Sequence, residues 1–242
     1  MDMERFSWDQ IMAGSLPNRC LLCQQGITLG RGLCQYCLDD ARPGHQCLGC
    51  TCAMRQCPPW RCGACQKKRH WWPVISAFPY HSPVGYLTGA IKIHRQLCLL
   101  EPMCEALAQR LEQLWQADAI GPISALVPIP MHPSRLPVRG FNHAVLIADQ
   151  LGKRLGLPVL DTLVVKKQRT VPQHDLEDQR RRKDLSGVFQ AQPGARRQQQ
   201  LALIDDVITT GSTMTAVARA LRKQGHHVSQ YWALASALKR QR

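Results

Sequence analysis

Apolar positions change their rhythm along this chain, and the rhythm marks out its elements. From Pro102 to Ala117, Met103, Leu107, Leu111 and Leu114 recur at helical spacing. The stretch "SALVPIP" (124–130) reads as a short buried strand stopped by prolines. "FNHAVLIADQLGKRLG" follows, with Phe141, Val145, Ala148, Leu151 and Leu155 predicted on one helical stripe and Gly156 as the terminator. "PVLDTLVV" reads as a second strand and "LALI" as a third. Ser212 to Gln224 is predicted as a helix ended by Gly225, and "VSQYWALA" as a fourth strand. Strands alternating with helices predict an α/β domain with a mostly parallel sheet. Between the second and third strands, "KKQRTVPQHDLEDQRRRKDLSGVF" has few apolar residues, and ten of the eighteen positions from Lys166 to Lys183 are charged. That composition predicts an exposed, mobile loop.

Length and charge narrow the picture. The 242 residues suffice for one ordinary core and one small module. With 31 Lys+Arg against 17 Asp+Glu, the formal net charge is +14, which points to an anionic partner. No apolar run approaches the roughly 18 residues needed to span a bilayer, so membrane insertion is not expected. The N-terminal "MDMERFSWDQIMAG" has acidic residues and no apolar core, unlike a secretory signal, so a cytoplasmic location is expected. In that compartment the twelve cysteines are not expected to form a disulfide framework.

The cysteines repeat. Eight of them form four CxxC pairs: Cys20/Cys23, Cys34/Cys37, Cys47/Cys50 and Cys62/Cys65. The first and third pairs lie 27 residues apart, and the second and fourth 28 apart. This suggests two copies of one knuckle–loop–knuckle unit. Two thiolates on a tight turn meet one ion, and two such turns complete a tetrahedral zinc site, so two structural zinc ions are expected. The near-equal periods favour pairing each site within one copy. Cys52 and Cys57 remain ambiguous between spare thiols and alternative ligands of the second site. Cys98 and Cys104 are expected as buried core thiols. A module rich in Gly and Pro buries little core, so metal would supply its folding energy. It is assigned to residues 1–70 and the α/β domain to 71–242, joined by "QKKRHWWP" (66–73). Trp71 and Trp72 have two readings, packing the linker onto the next domain or stacking on bases, and packing is the more common use.

"LALIDDVITTGST" (201–213) carries the chemistry. Asp205 and Asp206 stand where a parallel strand ends, the place at which such sheets bind ligands. Two adjacent carboxylates repel each other and are costly to bury unless something satisfies them. The turn after them brings Gly211 to relax the backbone and four hydroxyls at Thr209, Thr210, Ser212 and Thr213. Backbone N–H groups opening a helix there cradle an anion. The carboxylates do not face that anion. They suit neighbouring sugar hydroxyls, and the combination describes a ribose 5-phosphate. A P-loop is excluded, because no lysine follows Gly211. The plain alternative, an aspartate capping a helix, needs only one of the two.

The same stretch closely resembles the phosphoribosyl-pyrophosphate (PRPP) loop of type I phosphoribosyltransferases. "VPIPMHPSRLPVRGFNHA" (127–144) and "RTVPQHDLEDQRRRKDLSGVF" (169–189) resemble two signatures of ComF/GntX-type proteins, and an N-terminal cysteine module is typical of that family. The resemblance implies a type I phosphoribosyltransferase-like fold behind a double zinc-ribbon module. It implies that Asp205 and Asp206 hold ribose hydroxyls and that Thr209, Thr210, Gly211, Ser212 and Thr213 hold the 5-phosphate. "PIPMH" would form the pyrophosphate-side loop, with Arg135, Arg139 and Lys92 as cations. Arg169, Thr170, Gln173 and Arg180 would belong to a loop closing over the site. His143 stands where the family usually has Gln, and Asp184 where it has Asn.

The resemblance further implies PRPP with Mg²⁺ as ligand and a link to competence, DNA uptake or use of DNA. Two readings stay open. One is an enzyme moving phosphoribose onto an unidentified acceptor, with His94, His132 and His143 as conceivable proton carriers. The other is a non-catalytic accessory protein that binds single-stranded DNA, uses the PRPP site as sensor or scaffold, and works with other DNA-uptake proteins. Basic residues beside Trp60, Trp71 and Trp72 in the module, and Arg219, Arg222 and Lys223 near the C-terminus, suit the second reading.

Overall fold

The computed structural model describes residues 18–27, 30–68, 71–94, 96–132, 134, 140–167, 187–192 and 200–238. Its centre is a four-stranded sheet in the order β1–β6–β5–β2, formed by β1 (Val74–Pro79), β2 (Ala125–Pro128), β5 (Leu201–Ile208) and β6 (Val228–Ser236). All three pairings are parallel. A parallel sheet is covered on both faces, which is why these strands are nearly continuous apolar runs. On one face Ile75, Leu126, Ala202, Ile204 and Trp232 pack against Met103, Leu107 and Leu111 of α4 (Leu100–Gln116) and Ile147 and Leu151 of α5 (His143–Leu155). On the other, Leu201, Leu203, Tyr231 and Ala233 pack against Met214, Val217 and Leu221 of α6 (Ser212–Lys223).

Four expectations change. The strand β1 and the helix α3 (Pro83–His94) were not read from the sequence, although "VISAFP" is buried along nearly its whole length. "PVLDTLVV" is not a strand of the main sheet. Val159 makes one parallel bridge to Leu126, and β3 (Val164–Lys166) then turns away to pair antiparallel with β4 (Phe189–Ala191). Both parts are apolar because each packs on the same domain, so composition does not separate them. On α5 the buried stripe is Ala144, Ile147, Ala148 and Leu151, while Val145 and Leu155 are only half-buried. The expected terminators hold: Gly156 and Gly225 have φ of 68° and 81°, the left-handed conformation that favours glycine. Cys104 is buried as expected, but Cys98 is exposed.

The cysteine repeat is visible in the backbone. A bridge between Arg19 and Gly26 flanks the first knuckle, and one between Gln46 and Ala53 flanks the third. Cys34 caps the short helix α1 (Gln35–Asp40) by accepting from Cys37 N–H, and Cys62, 28 residues on, stands at the same position before α2 (Gly63–Gln66) without a side-chain cap bond. Leu33, Leu38 and Leu48 join the same apolar core as α4 and α5. Val74 N–H donates to the Leu48 carbonyl at 2.6 Å, and Thr51 and Ser236 share a buried hydroxyl bond of 2.8 Å. The tandem tryptophans pack. Trp72 stacks on Tyr231 with centroids 5.4 Å apart, and Arg61 lies 4.5 Å from the centre of Trp71. No helix among the described residues is long and apolar enough to cross a membrane.

Candidate functional site

The helices that follow β2 and β5 leave the sheet on opposite faces, α5 on one side and α6 on the other. Adjacent parallel strands with diverging connections open a crevice at their carboxyl ends. A cleft of about 420 Å³ lies at that point. Its floor is the end of β5, with Asp205, Asp206 and Val207. Its walls are Ile129–Met131 after β2, the start of α5 at Asn142–Ala144, Tyr80 after β1, Lys92 of α3, and Thr209.

Each part has a local cause. β2 stops at Pro128, paired with Ile204, so β5 runs past its neighbour and presents the aspartates at an open edge. Residues alternate across a strand, so Asp206 follows Ala202 and Ile204 toward the α4/α5 face, and Asp205 follows Leu201 and Leu203. Asp206 is buried, and its Oδ2 pairs with Lys92 Nζ at 2.6 Å. Its Oδ1 accepts from Val207 N–H at 2.8 Å. Asp205 is half-buried, and its Oδ1 accepts from Asp206 N–H at 2.9 Å. Burial first, and the Asp206 carboxylate second, push the Asp205 carboxyl up to about 8, against a smaller pull from Lys92. Asn142 caps α5 by accepting from Ala144 N–H and donates its amide to the Ile129 carbonyl, which joins two walls of the cleft.

Beyond the aspartates, Thr209, Thr210 and Ser212 are exposed, and Gly211 turns the chain at φ 72° into α6. Thr210 Oγ1 and Ser212 Oγ are 2.8 Å apart. The fold thus brings Asp205, Asp206, Lys92, Thr209 and Ile129–Met131 of the "PIPMH" segment to one cleft, with the rest of the TTGST turn continuing from its rim. Arg135, Arg139, Arg169, Thr170, Gln173, Arg180 and Asp184 lie outside the described residues, as do residues 168–186 of the charged loop. His143 is buried at the cleft wall, edge-on to Phe141. His132 lies beyond Met131, its Nδ1 bonded to Ser134 Oγ at 2.7 Å. Tyr80 and Asn142 were missed. Asn142 could have been found as the capping residue before an apolar-periodic run; Tyr80 had no signal once β1 went unread.

The cysteines gather into two groups, Cys20/Cys23/Cys34/Cys37 and Cys47/Cys50/Cys62/Cys65, with the sulfurs of each within 4.8 Å of one another. Cys23 and Cys34 sulfurs are 3.6 Å apart and Cys50 and Cys62 3.8 Å. A tetrahedron with Zn–S of ~2.3 Å has edges of ~3.8 Å, so both groups fit such an ion. Backbone N–H groups of Cys37, Gly49 and Cys62 point at cluster sulfurs at 3.2–3.4 Å, as around thiolate ligands. Burial works against ionisation, yet backbone donors hold one thiol per group, Cys20 and Cys62, at about 6. Burial and neighbouring sulfurs push Cys37 and Cys65 up, a crowding that a cation would relieve. Cys52 and Cys57 stand outside both groups.

No family model matches the chain. It is 28% identical over 223 residues to Competence protein F of Haemophilus influenzae, which covers 90% of this chain and 97% of that protein. It is 26% identical over 227 residues to the DNA utilization protein YhgH of Salmonella typhimurium, covering 93% and 99%. YhgH of Escherichia coli is likewise 26% identical, over 230 residues. Among solved structures, an adenine phosphoribosyltransferase is similar over 60% of this chain and 73% of its own, at 19% identity and a TM-score of 0.38. The adenine phosphoribosyltransferase of Leishmania donovani covers 69% and 85%, at 13% identity and a TM-score of 0.39. The likeness to Competence protein F and YhgH agrees with the ComF resemblance of the four sequence signatures.

Proposed function

From a chain similar along nine-tenths of its length to Competence protein F and the YhgH proteins, we propose a PRPP-binding protein that serves the uptake or use of DNA. The observation that carries this is the end of β5: an acid pair on an open strand edge, followed by an exposed hydroxyl-rich turn that opens α6 through Gly211. Asp205 and Asp206 accept from the ribose hydroxyls, and the turn 209–213 with the first N–H groups of α6 takes the 5-phosphate. Lys92, paired with Asp206, is the cation that lines the cleft among the described residues and would face the diphosphate. Two adjacent carboxyl groups, one of them drawn toward its neutral form by burial and by its neighbour, form an oxygen donor set that a hard cation would relieve, so Mg²⁺ fits beside them and would supply charge neutralisation for the diphosphate. The two thiolate groups hold structural zinc, and such thiols persist in a reducing compartment, consistent with the cytoplasm.

Phosphoribosyl transfer asks the protein chiefly to position reactants and stabilise a leaving diphosphate. Lys92 and the helix N-termini suit that task. The test is calorimetric titration with Mg²⁺ and PRPP of the wild type and of a protein carrying Asp205→Asn and Asp206→Asn. Equal affinities would remove the site. Pyrophosphate release on adding an acceptor selects the enzyme. Tight binding with no release under any acceptor selects a sensor or scaffold.

A DNA-contacting role is favoured by a second observation: Pro59, Trp60, Arg61, Gln66 and Trp71 line an open cleft of about 660 Å³ on the module. Cation and aromatic surface together suit single-stranded DNA. Anisotropy of a labelled oligonucleotide across salt concentrations tests it, and no binding at low salt removes it.

A further inference from the structure

A separate cavity of about 320 Å³ lies between the cysteine module and α4, lined in part by His45, Gln46, Cys57, Trp60, Arg110 and Gln113. Its charge is out of balance. Arg110 is half-buried on α4, and its Nη2 donates to Gln46 Oε1 at 3.0 Å. Its Nε is closed off from solvent and has no acceptor among the described residues. Other arginines near α4 have carboxylate partners: Arg31 and Arg154 pair with Glu105, and Arg42 with Asp39. No carboxylate among the described residues pairs with Arg110. Gln46 is already engaged, and the Cys57 thiol faces the Gln46 carbonyl at 4.0 Å. A desolvated guanidinium held by one neutral amide is costly, and its planar fork of donors matches an oxyanion. Burial accordingly draws the Arg110 pKa below its ordinary value.

The rest of the lining has matching chemistry. His45 and Gln113 are exposed and offer further donors. Trp60 is half-buried and gives a flat apolar wall. The volume lies at the lower end of small-ligand pockets, roughly 300–1,000 Å³. We propose that this cavity is a binding site for a small organic phosphate, with the phosphate on Arg110 and the organic body against Trp60. A phosphate suits it better than a carboxylate, because its three terminal oxygens point apart and can meet the Arg110 fork and the His45 and Gln113 donors at once. The site is independent of the acidic cleft at β5.

The metal-loaded full chain is titrated with inorganic phosphate, with a nucleoside 5′-monophosphate and with acetate, reading the imidazole resonances of His45 by NMR. The background carries Asp205→Asn and Asp206→Asn to weaken ribose binding at the β5 cleft, and His45, which lines only the second cavity, separates its occupancy from that of the phosphate turn 209–213. Both phosphates should shift His45 saturably, and acetate should not do so at the same concentrations. Arg110→Gln should abolish the shift. Arg110→Lys, which keeps charge and stem but loses the fork, should weaken binding about tenfold and serves if the first variant does not fold. Trp60→Ala should weaken the nucleotide but not inorganic phosphate. The proposal is overturned if millimolar phosphate leaves His45 unmoved, if the shift survives in both Arg110 variants, or if acetate matches phosphate. Equal loss of both phosphates in the Trp60 variant overturns the placement of the organic body.

Discussion

Asp205 and Asp206 are adjacent in sequence and differ in environment. Asp206 is buried and ion-paired to Lys92, whereas Asp205 is pushed up to about 8 by burial and by that neighbour. Its pKa rises from 3.8 on folding, so between about pH 4 and 8 the folded protein holds a proton that the unfolded chain has lost. This group's contribution to stability therefore falls as pH rises through that window and is flat above it. Asp205→Asn should remove that slope from a pH series of urea melts. Ribose hydroxyls bond more strongly to an ionised acceptor, so PRPP binding at pH 7 should release a proton and tighten toward pH 8. Calorimetry in two buffers of different ionisation heat reads the proton directly, and no release would mean that Asp205 does not ionise on binding. The Lys92–Asp206 pair makes a second test, because its side chains are 33% and 7% exposed. Lys92→Met strands the buried carboxylate and should cost roughly 1–3 kcal/mol, between exposed and fully buried pairs. Asp206→Asn strands only a lysine that reaches solvent, so it should cost less in the same urea melts.

At the scale of elements, two glycines hold the site for opposite reasons. Gly85 begins α3 against the end of β1, where an added Cβ would lie 2.0 Å from the Pro79 carbonyl and 2.8 Å from that of Tyr80. Neither backbone atom can yield cheaply, so Gly85→Ala should cost about 1–3 kcal/mol as overpacking does, or more. It should also weaken PRPP binding, because α3 carries Lys92 and the same turn carries Tyr80. Gly211 has open space around it, and only its φ of 72° resists a side chain. Gly211→Ala should cost about 1–2 kcal/mol, the usual penalty of the left-handed region. Thermal melts of the two variants rank them, and a larger loss at Gly211 would contradict this geometry. Helix α5 shows how far element patterns could be read. Its existence and its Gly156 stop were plain, but its stripe was misplaced because apolar residues occur on most of its sides.

At the scale of the molecule, the module and the α/β sheet share one apolar core through Leu33, Leu38 and Leu48. The two cysteine clusters, once they hold metal, should therefore be coupled to the whole fold. Elemental analysis should find two zinc ions per chain, and chelation should lower the melting temperature in a single transition seen by both near- and far-ultraviolet dichroism. Two separate transitions would mean that the module unfolds without its partner surface. A protein free of metal with an unchanged melt would remove the zinc reading.

The parts legible from residues alone were those whose chemistry is local. Thiolates at CxxC spacing meet on a turn, and an acid pair just before a Gly-containing hydroxyl run marks the last part of a strand, so both clusters and the floor of the cleft were plain, although β5 runs two residues past the pair to Ile208. Strands buried on both faces carry no alternation, so β1 gives no periodic signal and the run 158–165 reads as one strand of the sheet. Long-range placement was not local either. Lys92 meets Asp206 across more than a hundred residues only because α3 packs on the face of the sheet toward which Asp206 points. Nothing in the residues around Arg110 signals that the module would close over it. Burial and partner choice are set by the packing of distant segments, and no pattern within any one of them encodes that.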